Sequence, residues 1–196
     1  VDVIVKHEGE GTIIELLDAL EDGKNLSEVA GIVYKGSEGD TRTTPDRPPY
    51  PIDELPLPAR HLLPMEGYKK HRAMMSWSRT PALGIYTSRA CPFSCNFCNL
   101  FLVWGQKWRG RNAKLVVDEM QHIVETYGVN RILVHDSNFG TKKKRVEDIC
   151  DEIIRRGLKI DWYPEPGYML HLLDEKLLKK LRAAGMYQIT AQVESG

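Results

Sequence analysis

Three cysteines are the residues whose type and spacing point most directly to chemistry. Cys91, Cys95 and Cys98 form a CxxxCxxC motif directly after the segment TSRA. Three thiolates in one loop make a soft-ligand site, which suits an iron–sulfur cluster or zinc. The fourth cysteine of the chain, Cys150, falls on the apolar stripe of a predicted helix, where a small core side chain is the simpler interpretation. The motif therefore predicts a metal site in the loop at 91–98.

The number of cysteines favours iron–sulfur over zinc. Structural zinc normally takes four protein ligands, commonly from paired CxxC units, and this chain has no second pair. Three thiolates leave one iron of a 4Fe-4S cluster free to bind another molecule, whereas four-cysteine ligation is typical of electron carriers. A structural zinc site completed by a histidine such as His71 remains the alternative.

From about residue 80 the hydrophobic pattern alternates between strands and helices. The predicted strands are 82–87, 131–135, 159–162 and 187–193, and the predicted helices are 114–127, 142–156 and 174–185. This alternation predicts an α/β fold with parallel strands, and a barrel or a doubly wound sheet would both fit. The cysteine loop follows the first of these strands, at the end where barrel enzymes place their active sites.

The segment before residue 80 has a different composition. Residues 1–35 predict a strand, a helix that begins with a capping box of Thr12 and Glu15, and a second strand. Seven of the chain's 11 prolines lie between residues 36 and 66, which predicts an extended connector. We therefore predict a first unit at 1–40, a connector at 41–79 and a second domain at 80–196.

Composition and charge argue against a nucleic-acid-binding, membrane-spanning or disulfide-rich protein. The 196 residues are 42% hydrophobic, and 27 basic side chains balance 27 acidic ones, which gives no electrostatic reason to expect a nucleic-acid or membrane partner. No apolar run approaches the roughly 20 residues of a membrane helix, and the first residues lack the pattern of a signal peptide. Four cysteines are too few for a disulfide scaffold, so a cytoplasmic location is predicted.

The sequence CPFSCNFC, with Phe97 before the last cysteine, resembles the signature of radical S-adenosylmethionine (SAM) enzymes. In that superfamily three cysteines hold a 4Fe-4S cluster whose open iron binds SAM, and one electron cleaves SAM to start radical chemistry. The resemblance implies that Cys91, Cys95 and Cys98 are the cluster ligands. It also implies a small-molecule substrate and an electron donor such as flavodoxin or ferredoxin.

Further segments are similar to the cobalamin-dependent branch of that superfamily, and to the anaerobic magnesium-protoporphyrin monomethyl ester cyclase group in particular. They are TSRACPFSCNFC, WGQKWRGRNAKLVVDEM, ILVHDSNFG and QVESG, in that order. The likeness implies the end of a Rossmann-like cobalamin-binding domain, an interdomain segment ending in ELPLPARHLLP, and the first four strands of a partial (β/α)6 barrel. Cobalamin is implied by lineage alone, since the chain has no DxHxxG motif.

The resemblance also implies SAM contacts for Asp136, Asn138 and Glu194, and it identifies no catalytic side chain. For Asp136 and Asn138 the alternative is a helix-capping role, because these residue types are common before a helix. The chain departs from the family at three positions: Ala90 and Gln192 replace usual glycines, and Ser137 replaces the second acid of a common Asp-Asp pair.

The reaction type stays open between oxidative ring closure and methylation of an unactivated carbon. A methylthiotransferase would need a second set of cluster cysteines, which this chain lacks. The other interpretations are a non-enzymatic zinc or iron–sulfur module and a catalytically incomplete fragment, since four of six barrel strands are expected.

Overall fold

The computed structural model describes residues 2–70 and 81–191, and the chain divides into two units, Val1–Leu55 and Pro56–Gly196. The first unit contains strand β1 (Val3–Val5), helix α1 (Glu10–Glu21), strand β2 (Ile32–Lys35) and strand β3 (Thr41–Thr43). The strands form one antiparallel sheet in the order β1–β2–β3. The strand, helix, strand order predicted for residues 1–35 is confirmed.

The start of α1 differs from the sequence prediction. The capping box at Thr12 and Glu15 is wrong, because the helix already begins at Glu10 and Gly9 occupies the N-cap position. Thr12 is instead buried inside the helix, where its hydroxyl donates to the carbonyl of Ala30 at 3.3 Å. A contact with a residue 18 positions away therefore decides the role of this threonine.

Strand β3 lies in the segment that was predicted to be an extended connector. It pairs with β2, and the pairing places Val33 opposite Thr43. The next residue, Thr44, is buried, and its hydroxyl accepts a hydrogen bond from the amide of Ile32 at 2.9 Å. The proline-rich part begins directly afterwards at Pro45, where a missing N–H would interrupt the ladder.

The second unit contains most of the regular structure. Its strands are β4 (Leu83–Ile85), β5 (Ser88–Arg89), β6 (Arg109–Gly110), β7 (Arg131–Val134) and β8 (Asp161–Pro164). Its helices are α2 (Met65–Lys70), α3 (Leu100–Trp104), α4 (Ala113–Tyr127), α5 (Lys143–Arg156) and α6 (Glu175–Ala183). No helix in the described ranges is long and apolar enough to cross a membrane.

The central sheet of this unit is parallel, in the order β4–β7–β8. This confirms the α/β pattern that the alternating elements predict. Of the predicted strand 187–193, the described residues show one isolated parallel bridge, Tyr168 with Ala191. A second parallel bridge joins Trp162 with Met186, the residue before the predicted strand. Residues 192 and 193 lie outside the described ranges. Strands β5 and β6 pair antiparallel beside the sheet and were not predicted.

Apolar side chains from the sheet and its helices make one core. Helix α4 contributes Val116, Val117, Met120 and Ile123, and α5 contributes Val146, Ile149, Cys150 and Ile153. Both helices end at a glycine in the left-handed region, Gly128 with φ 64° and Gly157 with φ 62°, a common way to close a helix. The predicted core position of Cys150 is confirmed.

A buried carboxylate joins the segment before the sheet to the sheet itself. Glu119 of α4 is 1% exposed and lies between two arginines. Arg60 Nη2 donates to Glu119 Oε1 at 2.8 Å and to the carbonyl of Gly84 at 3.0 Å. Arg111 Nη1 donates to Glu119 Oε2 and, at 3.0 Å, to the carbonyl of Tyr86. The ELPLPARHLLP segment is therefore attached to β4 through Arg60.

Replacement of Glu119 is expected to destabilise the fold strongly. Glu119→Ala would leave two buried guanidinium groups without their carboxylate, and loss of one partner of a buried ion pair lowers the free energy of unfolding by about 3 kcal/mol or more. The matched control is Glu125→Ala on the same helix, where an exposed carboxylate accepts from Gln121. We expect a loss below about 1 kcal/mol there. Equal losses in urea unfolding would contradict this prediction.

The core position of Cys150 predicts a chemically inert thiol. Burial raises the pKa of this thiol to about 12, so it stays protonated at pH 8, and the thiolate is the reactive form. Iodoacetamide at pH 8 should therefore label the partly exposed Cys91, Cys95 and Cys98 of the folded metal-free protein and spare Cys150. Mass spectrometry of the labelled peptides measures this, with the denatured protein as control. Labelling of Cys150 at the rate of the loop cysteines in the folded protein would contradict it.

Candidate functional site

The three motif cysteines lie in one loop between β5 and α3. Cys91, Cys95 and Cys98 are reduced and partly exposed. The amide of Cys98 donates to the carbonyl of Cys95 at 3.1 Å, which makes a tight turn between the last two cysteines. Within the described ranges, no group of three or more His, Cys, Asp and Glu side chains is arranged to hold one metal ion. The structure therefore places the three thiols on one accessible loop, but their sulfur atoms are not gathered around one point.

The cysteine loop and the start of α3 carry several exposed apolar side chains, together with the exposed polar residues Ser94, Asn96 and Asn99. Phe93, Phe97 and Phe101 are 39%, 70% and 43% exposed, and the neighbouring Leu102 and Val103 are exposed as well. Three thiols fit a soft metal cluster by the chemistry of their sulfur atoms. The donor set of the loop thus suits an iron–sulfur cluster.

The residue before the first cysteine has an unusual backbone conformation. Ala90 is buried and has a φ of 66°, in the left-handed region that favours glycine. An L side chain there costs about 1 kcal/mol. This agrees with the family resemblance of the motif, which implies a glycine at this position. The turn at Ala90 directs the chain from β5 into the cysteine loop.

Asp136 lies directly behind this turn. Its carboxylate is buried and accepts from the Thr87 amide at 2.6 Å, the Thr87 hydroxyl at 2.5 Å and the Ser88 hydroxyl at 2.6 Å. The helix-capping alternative is wrong for Asp136, because the N-cap of α5 is Lys142 and the carboxylate is bonded to a different strand. The structure brings Asp136 to the segment that enters the cysteine loop.

Asn138 is buried near the same edge of the sheet. It precedes a short 3₁₀ turn but makes no side-chain capping bond, so the capping alternative is wrong here too. The backbone carbonyl of Asn138 accepts from the indole N–H of Trp108 at 3.1 Å, which gives Trp108 a packing and hydrogen-bonding role. Glu194 and His71, the other two predicted ligand residues, lie outside the described residues.

A histidine–glutamate contact that the sequence interpretation missed lies across the ends of two parallel strands. His135 follows β7 and Glu165 follows β8, and His135 Nδ1 is 2.7 Å from Glu165 Oε2. Tyr86, the residue after β4, places its ring 5.8 Å from the His135 ring. His135 therefore has a polar partner at the end of its strand. The signal for Glu165 was its position directly after a strand, in the segment YPEPG.

Comparisons with known proteins cover the whole chain. It is 35% identical over 196 residues to an uncharacterized methyltransferase of Pyrococcus horikoshii, of which it covers 40%. It is 29% identical over 198 residues to the anaerobic magnesium-protoporphyrin IX monomethyl ester cyclase of Rubrivivax gelatinosus, of which it covers 35%. The chain thus spans less than half the length of these relatives. No family model matches it.

Solved structures show the same fold. The radical SAM methyltransferase TsrM of Kitasatospora setae, solved with cobalamin and a 4Fe-4S cluster bound, superposes with a TM-score of 0.75 at 19% identity. The match covers 98% of this chain and 38% of TsrM. The resemblance inferred from the motifs is confirmed: the chain is similar, over part of their length, to cobalamin-dependent radical SAM enzymes.

Proposed function

We propose that this chain is part of a radical SAM enzyme that methylates or oxidatively cyclises a small organic substrate. The observation that carries the proposal is the accessible three-cysteine loop, which follows β5 and comes shortly after β4, the first strand of the parallel sheet. The relatives support both reaction types, because their names include methyltransferases and cyclases.

The cofactors follow from the donor set and from the family. We assign the thiolates of Cys91, Cys95 and Cys98 as ligands of a 4Fe-4S cluster. When bound, such a cluster supplies the electron that cleaves SAM and starts radical chemistry. Cobalamin binding is proposed from the family, since TsrM binds it, while a flavodoxin or ferredoxin as electron donor is proposed on chemical grounds.

The residues of this chain have separate tasks in the proposed reaction. The exposed phenylalanines of the cysteine loop would shield the cluster from water. Asn138 and Glu194 are proposed to contact SAM at the carboxyl ends of the strands. The His135–Glu165 pair stands at the same ends, where its polar groups can orient a bound molecule.

The proposed architecture is the end of a Rossmann-like unit followed by part of a (β/α)6 barrel. The parallel order β4–β7–β8 and the two parallel bridges at Met186 and Ala191 support the barrel. The division between Leu55 and Pro56 supports a boundary inside the proline-rich segment predicted at 41–79. The units 1–40 and 80–196 remain our proposal for the domains on either side.

The cluster itself is tested by anaerobic reconstitution with iron and sulfide. The dithionite-reduced protein should give a 4Fe-4S EPR signal that changes when SAM is added. Cys91→Ala, Cys95→Ala and Cys98→Ala should each abolish the signal, because three thiolates are the minimum for this ligation. Cys150→Ala is the matched control and should keep its iron content, since that thiol is in the core. A colourless protein that holds zinc, or a cluster that does not respond to SAM, would overturn the proposal.

The SAM contact of Glu194 is tested separately from the cluster. Glu194→Ala should weaken SAM binding by about tenfold, the effect of one lost hydrogen bond to a charged group, while the iron content stays unchanged. Titration of the reconstituted protein with SAM, followed by EPR, gives the dissociation constant. Glu175→Ala, at the exposed start of α6, is the control. Unchanged affinity in Glu194→Ala would refute the contact.

A further inference from the structure

We propose that Asp136 is a positioning residue whose buried carboxylate fixes the chain entering the cysteine loop and so prepares that loop to take up the cluster. The inference rests on the proposed function, because it concerns how the loop binds a cluster. It assigns Asp136 a task other than the SAM contact that the family resemblance implies.

The first observation is the number of bonds that one carboxylate makes to two consecutive residues. Asp136 Oδ1 accepts from the Thr87 amide at 2.6 Å, and Oδ2 accepts from the Thr87 hydroxyl at 2.5 Å and the Ser88 hydroxyl at 2.6 Å. Asp136, Thr87 and Ser88 are 1%, 0% and 2% exposed. Hydrogen bonds to a charged group away from water are among the strongest in proteins, so this contact holds the backbone firmly.

The same peptide is also held from its other side. The carbonyl of Thr87 accepts from the amide of Arg111 at 2.9 Å and from Arg145 Nη2 at 2.5 Å. Arg145 Nε in turn donates to the carbonyl of Arg111 at 2.8 Å. The amide, hydroxyl and carbonyl of Thr87 therefore all form hydrogen bonds. Their partners are Asp136 after β7, Arg111 directly after β6 and Arg145 on α5, and these three residues fix the position of Thr87.

We call the contacts of Asp136 with Thr87 and Ser88 the clamp. The clamp lies shortly before the cysteines in the chain, so it can influence their position. Ser88 and Arg89 form β5, Ala90 makes the left-handed turn, and Cys91 comes next. Thr87 and Ser88 are thus four and three residues before the first proposed ligand. Because a strained turn at Ala90 persists only where its surroundings hold it, a loose Thr87–Ser88 segment would also release Cys91.

The carboxylate of Asp136 has little remaining capacity to accept a hydrogen bond from a cofactor. A carboxylate has about four acceptor positions, and three of them are occupied by Thr87 and Ser88. With 1% of the residue exposed, a ligand has almost no access to the fourth. The contacts therefore favour a carboxylate that works through the loop over one that binds SAM directly.

The test uses the partners of Asp136 as well as Asp136 itself. Thr87→Val and Ser88→Ala each remove one clamp bond without changing any proposed ligand, and Asp136→Ala removes all three. The matched control is Asp161→Asn on strand β8, a half-exposed carboxylate that pairs with Arg131 at the surface of the same sheet. Each protein is reconstituted with iron and sulfide. The rate of iron release to a chelator, the EPR line shape and the SAM affinity are measured, together with hydrogen exchange of the Thr87 amide in the metal-free protein.

The positioning role predicts that the Thr87 and Ser88 variants release iron about tenfold faster than the wild type, the effect of one lost hydrogen bond to a charged group. Their EPR lines should broaden, and exchange of the Thr87 amide should accelerate in Asp136→Ala, while Asp161→Asn behaves as wild type. A global loss of stability alone would not broaden the signal of the folded protein below its melting temperature.

Two results in a wild-type protein that does take up the cluster would overturn the inference alone. One is wild-type iron release in the Thr87 and Ser88 variants. The other is an Asp136→Ala protein that loses SAM affinity but keeps a normal cluster, which would make Asp136 a SAM contact. A wild-type protein that takes up no cluster would overturn the proposed function, and this inference with it. A loaded wild type with unaffected variants would overturn only the inference.

Discussion

The second unit depends on a buried negative charge that must be paired. Glu119 lies under the sheet with its two carboxylate oxygens bound by Arg60 and Arg111. An isolated buried charge is very unfavourable, so the segment carrying Arg60 and the turn carrying Arg111 have to be in place together. Arg60 and Arg111 also bind the carbonyls of Gly84, in the middle of β4, and Tyr86, the residue after β4. One ion network thereby connects the entry segment, the first parallel strand, helix α4 and the turn before it.

A series of hydrogen bonds connects this ion network to the cysteine loop. The backbone of Arg111 bonds to Thr87, Thr87 bonds to Asp136, and the chain then passes through Ser88 and Ala90 into the cysteines. The ends of β4, β7 and β8 thus carry groups with two different tasks. Asp136 faces the loop entry, while its neighbour His135 pairs with Glu165 beside Tyr86. Adjacent residues of an extended chain point to opposite sides, which explains why these neighbours serve different surroundings.

The cysteine loop differs in burial from the segment that leads into it. Its entry is buried and multiply bonded, whereas the thiols and the surrounding phenylalanines are exposed. Binding of a metal supplies free energy that can draw ligands together, so the loop need not hold its thiols converged by packing alone. The fold must therefore supply a loop whose first residues are held in place and three thiols close enough in sequence to bind one cluster. The buried clamp and the CxxxCxxC spacing provide these two things.

The sequence by itself determined the local features of this protein. The cysteine motif, the α/β alternation, the core position of Cys150 and helices within one residue of α4 and α5 all follow from periodicity and residue type over short stretches. Contacts between distant residues were decided only by the tertiary structure. They include the bond of Thr12 to Ala30, the pairing of Arg60 with Glu119, the partners of Asp136 and the role of Glu165. The physical reason is that a polar side chain has many possible partners in the sequence, and only the folded chain brings one of them within hydrogen-bonding distance away from water.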